Sequence, residues 1–225
     1  MKLFKPLWTV TILTGFAFSL QGDVIVPVTV DGLAMPWQWV NGGLNTNFHF
    51  GSQDGLGPAV LDASSGISFG SGGMLTITYM SGLTGAFPGD PPVVNGIGYG
   101  PNAPSPFVFD ASDSPGNSGH FFASLYMGPY PIYLNALVAT FADSTGSIVG
   151  TPFAVNNGPV TIAIPVGATR LQFGVNDDIF ADNSGSLNLQ VSGPAEAIPE
   201  PSFTLPLACL AGFVVFARRR FAPRR

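Results

Sequence analysis

The sequence predicts an all-β chain, an antiparallel β-sandwich, on three observations. Gly (29) and Pro (21) make up more than a fifth of the 225 residues, and because both break helices, long helices are excluded from the body. Short runs rich in β-branched and aromatic residues recur between these breakers. They follow one another at intervals of about ten residues with no helical crossover, the pattern of strands that pair antiparallel.

The predicted strands are 74–80 (MLTITYM), 136–142 (ALVATFA), 160–164 (VTIAI), 169–175 (TRLQFGV) and 186–191 (SLNLQV). In the last two, Leu171, Phe173 and Val175, then Leu187, Leu189 and Val191, alternate with Arg170 and Gln172, then Asn188 and Gln190. One face of each is therefore buried and the other wet. DSTG at 143–146 reads as a hairpin turn, and PVGA at 165–168 links two more strands. Residues 84–119 read as a long irregular excursion, either a functional rim or the cover of short strands such as 107–109. In MPWQWVNGGLNTNFHFG (35–51), Trp37 and Trp39 share one face of any strand there, as do Phe48 and Phe50. Aromatics at period two read as core residues, with an exposed sugar-stacking surface as the alternative. His49 between the two Phe points to solvent.

Both ends carry targeting features. Lys2 and Lys5 precede the apolar run Leu7 to Leu20, and small or polar residues follow, the layout of a secretory signal peptide over 1–22. At the other end FTLPLACLAGFVVFA (203–217) is uncharged and is followed at once by Arg218, Arg219 and Arg220. Its length is about 22 Å as a helix, marginal for a hydrocarbon core of about 30 Å. The arginines mark the cytoplasmic side, so the expectation is a C-terminal membrane helix with the body outside.

Just before that run stand Pro199, Glu200 and Pro201. Pro-Glu-Pro, a short apolar segment and an arginine cluster at a chain end resemble the PEP-CTERM sorting signal of exosortase systems in exopolysaccharide-forming Gram-negative bacteria. The resemblance covers about the last 28 residues. It implies a transient inner-membrane tether over 195–225, cut by an exosortase-type enzyme on the way to the cell surface or matrix; a permanent anchor is the alternative.

Between Pro6 and Ala217 Arg170 is the sole basic residue against all 13 acids, a formal charge of −12 for that stretch. Such a body repels phosphate backbones, which excludes nucleic acid as a partner. It attracts divalent cations. The one cysteine, Cys209, lies in the tail, so the body at 23–194 has no disulfide to make.

The acids concentrate in VNDDIFADNSGSLNLQV (175–191), where Asp177, Asp178 and Asp182 stand beside Asn176 and Asn183 with no base near. Calcium takes six to eight oxygen ligands in irregular geometry, which Asp, Asn and loop carbonyls supply. Zinc is excluded by the lack of Cys or His nearby. The same residues also make ordinary turns that bond their own backbone and need no ion. The spacing is not that of an EF-hand.

IPVGATRLQFGVNDDIFADNSGSLNLQVS (164–192) resembles the C-terminal part of the calcium-dependent galactophilic bacterial lectins of the PA-I type, which are jelly-roll sandwiches. The resemblance implies a galactose-binding-like jelly roll. It implies Asp177, Asp182 and Asn183 as side-chain calcium ligands, a carbonyl near Ile179 as a backbone ligand, and a sugar bound at Asp177 and Asp182. The loop is about two residues shorter than in those lectins, so Asp178 stands as an alternative to Asp177. A further carbonyl would come from 85–87. The family's sugar-contacting His and Gln have no counterpart, His120 lying in a different context.

GISFG (66–70) fits the nucleophile pattern G-x-S-x-G, with Asp110 and His120 following in hydrolase order. That pattern works only as a strand-to-helix elbow, and GSGG follows instead. The expectation is a non-catalytic, exported, calcium-bound protein that binds carbohydrate or exopolysaccharide. Its alternative is a structural matrix protein whose calcium only stabilises the fold.

Overall fold

The computed structural model describes residues 22–39, 43–48, 52–70, 72–89, 91–100 and 132–196. The expected signal segment but for Gly22, the expected membrane helix at 203–217, the sorting residues Pro199, Glu200, Pro201, Arg218, Arg219 and Arg220, and His49, Phe50, Asp110 and His120 lie outside these residues. So do 101–131, with the expected short strand at 107–109.

The described residues form two four-stranded antiparallel sheets, as a β-sandwich requires. The first holds β1 (Asp23–Asp31), β3 (Met74–Gly85), β6 (Val160–Ala163) and β8 (Ser184–Pro194), in the order β1-β8-β3-β6. The second holds β2 (Ala59–Asp62), β4 (Leu137–Ala142), β5 (Phe153–Ala154) and β7 (Arg170–Val175), in the order β2-β7-β4-β5. All five expected strands are present. β3 and β8 run longer than expected, because each continues pairing with the other from Thr76↔Ser192 to Gly85↔Ser184.

β1, β2 and β5 were not expected. In β1, Val24, Val26, Val28 and Val30 face the core while Ile25, Pro27 and Thr29 face out. Pro27 supplies no donor, which a strand tolerates at the edge of a sheet, where β1 lies.

Between the sheets, Leu75 and Ile77 of β3 and Leu187, Leu189 and Val191 of β8 meet Leu137, Phe141, Leu171 and Phe173 of the second sheet. Each such side chain contributes about 1.5–3 kcal/mol through burial. A second cluster covers the outer face of the second sheet, where Val138 and Val175 pack against Met35, Trp37 and Phe180. β4 is thus buried along its whole length, which is why it is apolar but for Thr140.

The covering segment approaches β7 closely because Gly174 has no side chain; a Cβ there would lie 2.4 Å from the Pro36 nitrogen. Trp37 and Trp39 lie outside any strand, contrary to the strand geometry considered for them. Trp37 is fully buried, its indole N–H donating to the Phe48 carbonyl at 2.7 Å and its ring edge-on to Phe48.

Asp143 closes the expected hairpin turn: its Oδ1 accepts from the Thr145 N–H at 2.8 Å and the Ser147 N–H at 3.0 Å, and Ala142 bridges Ile148 beyond it. The turn at 165–168 leads from β6 in one sheet to β7 in the other. Part of the irregular excursion is packed: Val94 bridges Thr84, and Ala86, Val94 and Tyr99 form a third cluster with Leu134. Among the described residues no helix is long and apolar enough to cross a membrane.

Candidate functional site

β7 and β8, whose pairing would crowd the acids in a hairpin, do not pair. β7 belongs to the second sheet and β8 to the first, so residues 176–183 cross from one layer to the other. A crossing loop exposes backbone groups that need partners, and here backbone and side-chain groups of three distant segments, at Gly32, at 52–54 and at 133–136, bond to it.

Asn176 pins the start. Its N–H donates to the Ala136 carbonyl at 2.8 Å, its Nδ2 donates to the Tyr133 carbonyl at 3.0 Å, and its own carbonyl accepts from the Asn135 N–H at 2.6 Å. Phe180 anchors the middle, fully buried in the second cluster, with its N–H donating to Asp54 Oδ1 at 2.9 Å. The N–H and Oγ of Ser52 both donate to the Asp178 carbonyl. Asn183 closes the loop, its N–H donating to the Phe180 carbonyl at 3.1 Å and its Nδ2 to the Gly32 carbonyl at 2.9 Å.

The acids sit inside this frame. Asp177 is 3 % exposed; its Oδ1 accepts from the Asp178 N–H at 2.6 Å and the Ile179 N–H at 3.3 Å. Burial pushes its carboxyl up to about 8; those two N–H groups and the nearby Asn183 side chain oppose the rise, and the adjacent Asp178 carboxyl adds to it. Asp182 is also raised, first by burial and then by the charges of Asp54 and Asp178. Asp178 therefore neighbours both Asp177 and Asp182, and Asn183 neighbours Asp177.

Three side-chain oxygens of this loop are buried without a hydrogen-bond partner: Asp177 Oδ2, Asp182 Oδ1 and Asn183 Oδ1. Orphaned buried oxygens are costly, more so on carboxylates. They are not unique to the loop, since Thr84 and Asn135 also bury unpartnered side-chain atoms. Only in the loop do the orphans include carboxylate oxygens, on Asp177 and Asp182.

Ile179, the expected source of a backbone ligand, is 49 % exposed at the loop's outer side. Residues 85–87 stand beside the loop's end through the pairing of Gly85 with Ser184. Among the described residues no three His, Cys, Asp or Glu side chains come together as a metal-holding group. A cation here must therefore draw on amide and carbonyl oxygens too.

Four contributors lay outside the sequence reading. Gly32, Ser52 and Asp54 reach the loop from more than a hundred residues away, which no local spacing announces. Asn135 is fully buried with neither end of its amide partnered and a φ of 60°. Ser68 sits half-buried after the bridge Ile67↔Ala195, its N–H donating to the Pro194 carbonyl at 2.7 Å, and the chain runs on into β3. No family model, no curated protein and no solved structure matches the chain.

Proposed function

We propose that this is an exported, calcium-binding, lectin-like protein that binds carbohydrate in the cell envelope or exopolysaccharide matrix without catalysing a reaction, its sandwich a galactose-binding-like jelly roll. One observation carries the proposal. Asp177, Asp182 and Asn183, the three residues that the lectin resemblance gives as side-chain ligands, each bury one oxygen without a partner.

These residues fit calcium. Oxygens hidden from water and unbonded suit a bare cation, which sits at about 2.3–2.6 Å, closer than the roughly 2.7–2.8 Å that an O–H···O bond to water needs. Asp177, Asp182 and Asn183 would hold the ion, with carbonyls near Ile179 and in 85–87 completing the shell and Asp178 as the alternative to Asp177. Calcium would neutralise the clustered acids and offer open positions to sugar hydroxyls beside Asp177 and Asp182. The sorting tail would bring the protein to an exosortase-type enzyme and hold it transiently in the inner membrane.

A second reading is favoured by the crossing itself. The loop is tied to Gly32, Ser52 and Asp54 as well as to both sheets, so a cation there would brace the fold whether or not a sugar binds. A glycan array probed in calcium and in chelator separates the two: calcium-dependent capture of a glycan supports the lectin-like reading, and calcium binding without any capture supports the structural one.

A further inference from the structure

Arg170 is the only Lys or Arg among the described residues, and it forms no ion pair there. Asp62 faces it across the ladder between β2 and β7. That carboxylate makes its hydrogen bonds elsewhere: Asp62 Oδ1 accepts from the Ser64 N–H at 2.9 Å and the Ser64 hydroxyl at 2.6 Å, capping the short 3-10 turn Ala63–Ser65, and its attraction to Arg170 is the weaker, through-space one. The guanidinium is held instead by one Nη donating to the Ser144 carbonyl, which fixes its position without neutralising it. Its Nε is buried without a partner.

This cation lines a hollow of about 240 Å³ on the outer side of the second sheet. Gln38, Thr145 and Gln172 supply its other polar walls, and Pro58 and Val60 an apolar one. Gln172 is 5 % exposed, and its Oε1 also lacks a partner. The site is separate from the acidic turn, since Arg170 opens β7 and the turn follows its end, about 17 Å of strand away. At ordinary ionic strength that exceeds the screening length of about 8 Å, so the acids there do not cancel the cation's pull on an anion.

We infer that this hollow binds a small carboxylated sugar of the uronic acid class. An immobilised guanidinium that makes no direct ion pair matches a carboxylate. The Gln172 and Thr145 side chains match ring hydroxyls, and Val60 with Pro58 meets the apolar edge of a pyranose. The volume lies below the roughly 300–1,000 Å³ of pockets for drug-sized ligands, so it admits about one sugar residue. The inference does not rest on calcium at the acidic turn.

The test is calorimetric titration of the full-length chain with sodium glucuronate, glucose and acetate, each in excess chelator. Glucuronate should bind saturably, and both glucose, which lacks the carboxylate, and acetate, which lacks the hydroxyls, should bind at least tenfold more weakly. Arg170→Gln and Val60→Glu should each weaken glucuronate at least tenfold. Val60 is 46 % exposed, so Val60→Glu carries the test should Arg170→Gln fail to fold for want of the Ser144 bond. The inference is overturned by absence of saturable glucuronate binding, by equal binding of glucose or acetate, or by a folded Val60→Glu that binds as well as the wild type.

Discussion

At Asp177 a proton and a cation compete for one carboxyl. Burial lifts its pKa to about 8 from an ordinary value near 4, so in the metal-free protein the folded state keeps a proton that the unfolded chain releases. Stability from this group is full below about pH 4 and is lost as pH rises towards about 8. In chelator, denaturant midpoints should therefore fall across that window, and Asp177→Asn should flatten the fall. Calcium needs the carboxylate, so binding should expel the proton, and the apparent affinity should strengthen by up to about tenfold per pH unit below about 8. Titration calorimetry in buffers of different ionisation enthalpy would read the released proton; a calcium affinity indifferent to pH would count against Asp177 as a ligand. Asp182→Ala should remove most of the calcium-dependent gain in melting temperature. Asp143→Ala should leave that gain intact, since Asp143 spends its carboxylate on its own turn, where Thr145 first and other turn bonds hold it below the usual range.

At the scale of elements, the covering segment 34–39 and strand β7 depend on a bare Cα at Gly174. Gly174→Ala would set a Cβ 2.4–2.5 Å from backbone atoms of Ala34, Met35 and Pro36, and overpacking of this kind costs about 1–3 kcal/mol. Chemical denaturation should report a loss of that size, and an unchanged midpoint would mean that the segment moves aside freely. The strands that pack against the core were legible because their alternation follows from the pleat: Leu171 and Phe173 in β7, and Leu187, Leu189 and Val191 in β8, turn inward as read. The wet face expected of β7 is not wet, because the segment at 34–39 and Phe180 cover its far side: Gln172 is buried, and Val175 joins the outer cluster instead of the inter-sheet core. β1 was not legible, because Pro27 breaks the usual strand composition and its partner β8 lies some 160 residues on. Alternation says which face is buried but not which sheet a strand joins, so the assignment of β7 and β8 to opposite layers was not readable either. The loop acids were legible by residue type. Their frame, with Gly32 accepting from Asn183 and Asp54 from Phe180, is made by tertiary contacts that leave no local trace.

For the whole molecule, the proposal joins export, sorting and a cation-braced crossing between two sheets. Glu200→Ala should accumulate a membrane-bound, uncut form where the wild type is released, as membrane fractionation would show; equal release would count against the exosortase reading. The sandwich itself has no disulfide within 23–194, so its stability rests on the core and, under this account, on the ion that binds the folded loop and not the unfolded chain. Calcium at 100 times its dissociation constant then adds about 2.7 kcal/mol, several degrees in a domain of this size. The most direct measurement is the melting temperature of the protein in calcium and in chelator, with amide exchange followed through residues 176–184. The account predicts a melting temperature several degrees higher in calcium and faster exchange in that loop when the ion is removed. A melting temperature and a loop exchange rate indifferent to both would make Asp177, Asp182 and Asn183 a turn that needs no ion, and would contradict the calcium-dependent function.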